Sequence, residues 1–353
     1  MKVLIVKTSS LGDIIHALPV LDYIHKARPG IIIDWIVEES FKELLSGNHL
    51  LNELHVLATR RWKKSLSSVQ TRNEIASLWS KLRRSRYNIV FDIQGNLKSG
   101  LIDLASGSGL RIGFPQELLQ ERINSFFTSR KAKYSASNNH ATLRCLSVVS
   151  TPFSLPYLDR EFQSDIAFTA LDAAEADQVT TDLGEGPRVL FHCGTTWQTK
   201  YWHPESWSEL GSRITARYTD SVILFTWGNE PEKESAELIA SRIIGRTRIV
   251  KRLPLKTLAA LFKRVDLVVG GDTGPVHLAA AVGTPTVSLY RSSDGSESGP
   301  RGSRHVIVQS PMPCTRCFKT SCPQDQECRT SISVEAMFAG IELLLTNRKL
   351  NGK

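Results

Sequence analysis

Four turns in this chain place residues capable of chemistry where a strand gives way to a helix. The first is Lys7-Thr8-Ser9-Ser10-Leu11-Gly12-Asp13. A carboxylate in the first turn of a helix keeps its charge easily, and free amides there attract anions. An ionised Asp13 can take a proton from a hydroxyl nucleophile; the plain alternative is helix capping. The second turn is Gly270-Gly271-Asp272-Thr273-Gly274-Pro275-Val276-His277. Its glycines let backbone amides approach a phosphate. Asp272 either holds a sugar hydroxyl or caps the helix, and His277 follows one turn later. The third runs from His192 to Trp202 and offers the Thr195 and Thr196 hydroxyls and the Lys200 ammonium. That set suits a diphosphate, against a structural turn for the threonines and a solvated lysine. The fourth, Trp227-Gly228 followed by Glu232, places an aromatic at a strand end, where core packing is the ordinary use.

The elements around these turns alternate. Apolar runs at 3–6, 31–37, 54–57, 88–92 and 110–114 read as strands, and residues 14–24 carry helical spacing. Helices are also expected at 118–127 and 139–149. Thr151-Pro152-Phe153-Ser154-Leu155-Pro156 reads as a linker. A second alternation follows, with strands at 188–193, 222–225, 248–250, 266–269, 286–290 and 304–308 and a last helix at 333–347. Continuous apolar strands between helices imply two doubly wound α/β domains, which bind ligands at the carboxyl ends of their strands.

Neither G-x-G-x-x-G nor G-x-x-x-x-G-K-[ST] occurs, which argues against a standard dinucleotide oxidoreductase or a P-loop enzyme. The 353 residues are 41% hydrophobic and 22% charged. That is a globular composition, without the apolar run of ~18 residues that a membrane span requires. The opening MKVLIVKTSSLGDII is too polar for a signal peptide, so a cytoplasmic location is expected.

The net charge of +9 lies entirely within residues 1–160, while residues 161–353 balance. Arg60, Arg61, Lys63 and Lys64 surround Trp62 in its densest stretch. Such a field attracts an anionic sugar, lipid or polynucleotide. Six cysteines include Cys314, Cys317, Cys322 and Cys328 in one short segment. These can hold a structural zinc ion, remain reduced thiols, or form a loop disulfide on oxidation. Cys145 and Cys193 are expected to be buried and inert.

Taken together, the chain resembles glycosyltransferase family 9, the heptosyltransferases of lipopolysaccharide inner-core synthesis. KTSSLGD (7–13), DWIVEE (34–39), RRWKK (60–64), DIQGNLKSG (92–100), NNHATLR (138–144), TTWQTKYWHPESW (195–207), WGNEPEKE (227–234) and GDTGPVHLAAAVGTPTVSLY (271–290) fall in the family's order. The resemblance implies a GT-B fold, with two Rossmann-like domains facing across a cleft. Residues 1–160 would bind the acceptor and 161–330 the nucleotide sugar, and 331–353 would cross back to the first domain.

The resemblance further implies inverting transfer of L-glycero-D-manno-heptose from ADP-heptose to Kdo of Kdo2-lipid A, with no cofactor and no catalytic metal. Asp13 would be the base. Thr195, Thr196, Lys200, Asp272, Thr273 and Gly274 would contact the diphosphate and heptose. Trp227, Glu232 and Leu253 would lie on the adenosine side, with His277 in the same segment. Ser10, Arg60, Arg61, Lys63, Lys64, Lys98, Arg122, His140 and Arg144 would face the acceptor. The enzyme would sit on the inner face of the inner membrane, attached peripherally, and take no nucleic acid. The cysteine segment resembles the branch that adds the second heptose, which keeps a different acceptor as the alternative. A metal- or nucleic-acid-binding protein is the more distant reading, because it leaves Asp13 and the 271–277 turn without a task.

Overall fold

The structure, a computed structural model, describes residues 1–135 and 139–350. Asn138 of the NNHATLR motif therefore lies outside the described residues. The chain divides into two compact units, Met1–Ala167 and Phe168–Lys353.

The first unit is built on a parallel sheet of six strands: β1 Lys2–Val6, β2 Ile32–Glu38, β3 Glu53–Leu57, β4 Ile89–Asp92, β5 Arg111–Gly113 and β6 Arg130–Lys131. Their order is β3-β2-β1-β4-β5-β6. The second unit holds β7 Arg188–His192, β8 Val222–Phe225, β9 Arg246–Ile249, β10 Leu267–Gly271, β11 Thr286–Tyr290 and β12 His305–Gln309. Their order, β12-β11-β10-β7-β8-β9, repeats the first when counted from its own first strand. Both units are thus Rossmann-like. The connections diverge between β1 and β4 in one sheet and between β7 and β10 in the other. At such a switch point two neighbouring strands send their turns apart and open a crevice. Helices on both faces bury the central strands, which explains their unbroken apolar runs: Val3–Val6 and Leu267–Val269 are fully buried.

Several expectations need correction. The apolar spacing of 14–24 is not one helix but two, Leu11–Ala17 and Pro19–Ala27. Pro19 opens the second because its missing N–H costs nothing in a first turn. In place of the helix expected at 118–127, the chain forms two short 3-10 turns, Gln116–Leu118 and Arg122–Phe126. The helix Ala170–Thr180 and strand β6 were not expected. The helix was legible at its start, where Thr169 and Asp172 form a reciprocal capping box. The unit boundary also falls later than residue 160. Beyond the proline-rich linker the chain stays on the first unit: Phe162 packs on Tyr23, the Gln163 N–H donates to Asp22, and Asn48 donates to the Asp165 carbonyl. In the helix Val334–Leu350, the side chains of Met337, Ile341, Leu344 and Leu345 join the core of the second unit.

One buried network fastens the amino ends of β1–β3. Asp34, fully buried, accepts from Lys2 at 2.8 Å, from the Tyr87 hydroxyl at 2.7 Å and from Asn52 at 2.8 Å. His55 bonds the same hydroxyl at 2.8 Å. Burial opposes the charge on Asp34, but His55, Lys2, Asn52 and Tyr87 outweigh it and hold the carboxyl far below its usual range. A depressed carboxylate stabilises the fold above its unfolded pKa and loses that contribution as pH falls. Asp34→Asn is therefore expected to cost about 2 kcal/mol at pH 7. Urea unfolding at pH 7 and pH 3 should show the gap from wild type narrowing in acid. A gap that stays constant would remove the charge from the explanation.

Candidate active site

At the switch point of the first unit, the turn after β1 presents Asp13 from the first helical turn. One carboxylate oxygen accepts the Ser10 backbone N–H at 3.0 Å and its hydroxyl at 2.8 Å. The other lies 3.7 Å from the Lys7 ammonium, which is itself buried. Capping and chemistry are therefore not exclusive here. The capping bonds fix the rotamer, and the side chain remains 41% exposed. Burial opposes its charge, yet Lys7, the two Ser10 bonds and His16 together hold the carboxyl below its ordinary value. Asp13 is thus an ionised, oriented, accessible proton acceptor at neutral pH.

Two residues outside the expected set shape this turn. Gln94, after β4, accepts the Thr8 and Ser9 backbone N–H groups at 2.9 and 3.1 Å. It is held by Asp92, whose carboxylate takes the N–H groups of Gln94 and Gly95. Gly95 has φ +77°, which a side chain would strain. Glu38, ending β2, accepts from Thr59 and sits 2.6 Å from the Lys98 ammonium. Both residues belong to motifs that carried the family resemblance, and their charge or amide at a strand end was the available signal.

The structure sorts the expected acceptor residues. Arg60, Lys63 and Lys64 are exposed on one side of the short helix Thr59–Lys64, directly after β3. Arg61 pairs with Glu74 at 2.8 Å, and Trp62 donates to the same carboxylate while packing on the core. Lys98 is engaged by Glu38. Arg122 is exposed at the start of its 3-10 turn. His140 is buried: its ring caps the helix Ala141–Ser150 by accepting the Thr142 N–H, and it stacks edge-on against His16. It therefore positions that helix beside the Asp13 turn. Arg144 lies in the same helix, half-buried.

At the switch point of the second unit, the turns after β7 and β10 meet. Lys200 contacts Asp272 at 2.6 Å, and His277 reaches the other oxygen of the same carboxylate at 3.1 Å. The Lys200 ammonium also lies 4.6 Å from the Trp197 ring centre, a favourable cation–π position. Burial opposes charge on Asp272, but His277 and Lys200 drive its carboxyl far below the usual range. Asp272 is not the helix cap. Thr273 occupies that position before Gly274–Ala281, and its side chain makes no cap bond. Thr195 is buried and Thr196 exposed on the facing turn. The cluster thus holds a fixed cation, two hydroxyls and a helix start at one sheet edge, which is the equipment for an oligophosphate.

Glu232 lies alongside. It accepts the Gly228 N–H at 2.7 Å and an Asn229 amide N–H at 2.9 Å. Its carboxylate fills the notch at Gly194, where a Cβ would collide with it. Trp227 is half-buried, and its indole N–H donates to the Val250 carbonyl at 2.8 Å. That bond ties the end of β8 to the segment carrying Leu253.

The four clustered cysteines do not converge. Cys314 is exposed and all four thiols are free. Among the described residues, the one group of three potential metal ligands with mutually close donor atoms is Asp34, Glu53 and His55. The structural zinc expectation is corrected accordingly. The segment is fastened by side chains instead: Arg291, fully buried, bonds Asp325 at 2.7 Å, and Arg316 pairs with Asp294 at 2.9 Å. Burial pushes the Cys145 thiol up to about 11 and raises Cys193 as well, so both are held protonated. Cys193 is only half-buried at its surface.

Comparison with known proteins places this geometry. The profile of glycosyltransferase family 9 (heptosyltransferase) matches residues 75–327. The lipopolysaccharide heptosyltransferase 1 of Pseudomonas aeruginosa is 33% identical over 91% of this chain and 87% of its own length. That of Escherichia coli K12 is 30% identical over 88% of this chain and 94% of its own. The solved structure of E. coli heptosyltransferase WaaC with ADP superposes with a TM-score of 0.76 at 29% identity, covering 97% of this chain and 99% of that one. With its paired Rossmann-like sheets and its charged turns at both switch points, the chain belongs to glycosyltransferase family 9, the heptosyltransferases, and is a glycosyltransferase.

Proposed function

We propose that this enzyme transfers L-glycero-D-manno-heptose from ADP-heptose to a Kdo hydroxyl of Kdo2-lipid A, with inversion at the anomeric carbon. The observation that carries the reading is the Asp13 carboxylate, oriented by Ser10 and kept ionised by Lys7. Asp13 takes the proton as the acceptor oxygen attacks the anomeric carbon. The bond to the ADP oxygen breaks on the opposite face, and Lys200 with the helix start at Thr273–Gly274 stabilises the departing diphosphate. Trp227, Glu232 and Leu253 bound the adenosine side. Exposed Arg60, Lys63 and Lys64 receive the anionic acceptor. The names of the relatives at 30–33% identity support the first-heptose acceptor over a later one. The enzyme works at the cytoplasmic face of the inner membrane, attached peripherally. Among the described residues no helix is long and apolar enough to cross a membrane.

The test is ADP release from ADP-heptose with and without Kdo2-lipid A. Acceptor-dependent release with addition of one heptose mass is expected. Turnover only on a core already carrying one heptose would reassign the acceptor.

Arg60→Ala with Lys64→Ala should raise the acceptor KM about tenfold, roughly 1.4 kcal/mol of binding, and leave the donor KM unchanged. Arg61→Ala should do less, because Glu74 already engages that guanidinium. Initial-rate kinetics in both substrates decide, and an unchanged acceptor KM in the double variant would remove this helix from the site.

A further inference from the structure

The first unit carries an outward face whose composition the transfer chemistry does not use. On the helix Leu97–Ser106, Leu97, Leu101 and Leu104 are exposed at positions that share one side. The opposite side is buried, through Ser99, Ile102, Asp103 and Ser106. The 3-10 turn Arg122–Phe126 is fastened to the start of this helix. Asn124 donates to the Asn96 carbonyl at 2.9 Å, and Glu121 accepts the Leu97 N–H at 2.9 Å. Phe126 on that turn is 87% exposed. The neighbouring helix Val69–Arg84 exposes Arg72, Trp79 and Arg83 along one side. The Arg83 guanidinium lies against Gly107, at the end of the leucine-bearing helix, so the two exposed stripes adjoin.

We infer that this face, with Trp79, Leu101, Leu104 and Phe126 among arginines, docks the enzyme on an anionic phospholipid surface. Exposed leucine, tryptophan and phenylalanine on adjoining elements, flanked by arginine, match the boundary between acyl chains and charged headgroups. The charge selects the partner. Residues 69–86 hold five basic residues against Glu74 alone, within a stretch of +9 over residues 1–160. A second copy of the chain would oppose arginine to arginine across this face. The inference deepens the peripheral attachment proposed above by naming the surface that makes it. Vesicle binding is measured with no sugar acceptor present, so its failure leaves the transfer reaction standing.

The experiment is co-sedimentation of the full-length protein with vesicles of phosphatidylcholine alone or enriched in phosphatidylglycerol. Wild type should partition onto the anionic vesicles at least about tenfold more strongly, with the excess lost as salt rises. The triple variant L101S/L104S/F126S should lose about tenfold on those vesicles, while its heptosyl transfer to a soluble, deacylated acceptor stays at the wild-type rate. Because all three side chains are exposed, the fold should survive, and a matching thermal melt checks this. Arg72→Glu with Arg83→Glu supplies an independent second arm, lowering binding to anionic vesicles without altering binding to neutral ones. Wild type remaining in solution beside anionic vesicles would overturn the inference, as would wild-type partition by the triple variant. Self-association of lipid-free protein that the triple variant abolishes would assign the face to a second copy instead.

Discussion

Asp13→Ala is expected to lower kcat by about a thousandfold, within the range attributed to a positioned general base, while ADP affinity changes little. The reasoning is local. Asp13 belongs to the turn after β1, in the unit that does not carry Lys200, Asp272 or Glu232. Its removal takes away a proton acceptor without touching the groups expected to hold the nucleotide. Single-turnover rates and calorimetric titration with ADP separate the two effects. A large loss of ADP binding would contradict the base role. Asp13→Asn keeps the shape and accepts the Ser10 bonds through its amide oxygen, so it isolates the loss of basicity from the loss of the capping box.

The pH profile follows from the same surroundings. The Asp13 carboxyl is held below its usual 3.8, so it stays ionised as pH falls from 7 toward 5. Its protonation should not limit kcat until the pH is below about 4. Lys7→Met removes the cation and keeps a long apolar stem in the same buried place. The acidic limb should then move upward, because burial continues to oppose the charge. A limb that does not move would exclude Lys7 from the control of this carboxylate.

The second large effect is expected at Lys200. Lys200→Ala should reduce kcat by about a hundredfold or more, the scale of losing one preorganised charge partner of a leaving group, and should weaken ADP binding. Two losses combine. The diphosphate loses its cation, and Asp272, whose side chain is only 9% exposed, loses the closer of its two side-chain partners. Asp272→Asn tells them apart. It leaves the ammonium in place but without its anchor, so ADP binding should survive while kcat falls. Lys200→Ala with unchanged ADP affinity and kcat within about threefold would remove Lys200 from donor chemistry.

Much of this protein was determined by its sequence alone. Apolar strands between amphipathic helices specified two parallel α/β units, because a sheet covered on both faces must be apolar along its whole strand. The positions of Asp13, Lys200 and Asp272 were legible because the chemistry of such folds lies in the short turns after strands. Local signals also located the helix starts, although Pro19 divided what periodicity read as one helix.

Other features only the tertiary structure decided. Asp272 could cap a helix or bind a ligand until Lys200, distant in sequence, was found to share its carboxylate with His277. The capping of Ala141–Ser150 by the His140 ring, and its stacking against His16, were not visible in the sequence. The roles of Gln94 and Glu38 emerged only when β4 and β2 were set on either side of β1. The cysteines had spacing that permits a metal site, but their donor atoms are not gathered. Each case turns on a hydrogen bond or ion pair between residues far apart in the chain. Such contacts exist only once two turns share one end of a sheet, and sequence spacing carries no record of which turns those will be.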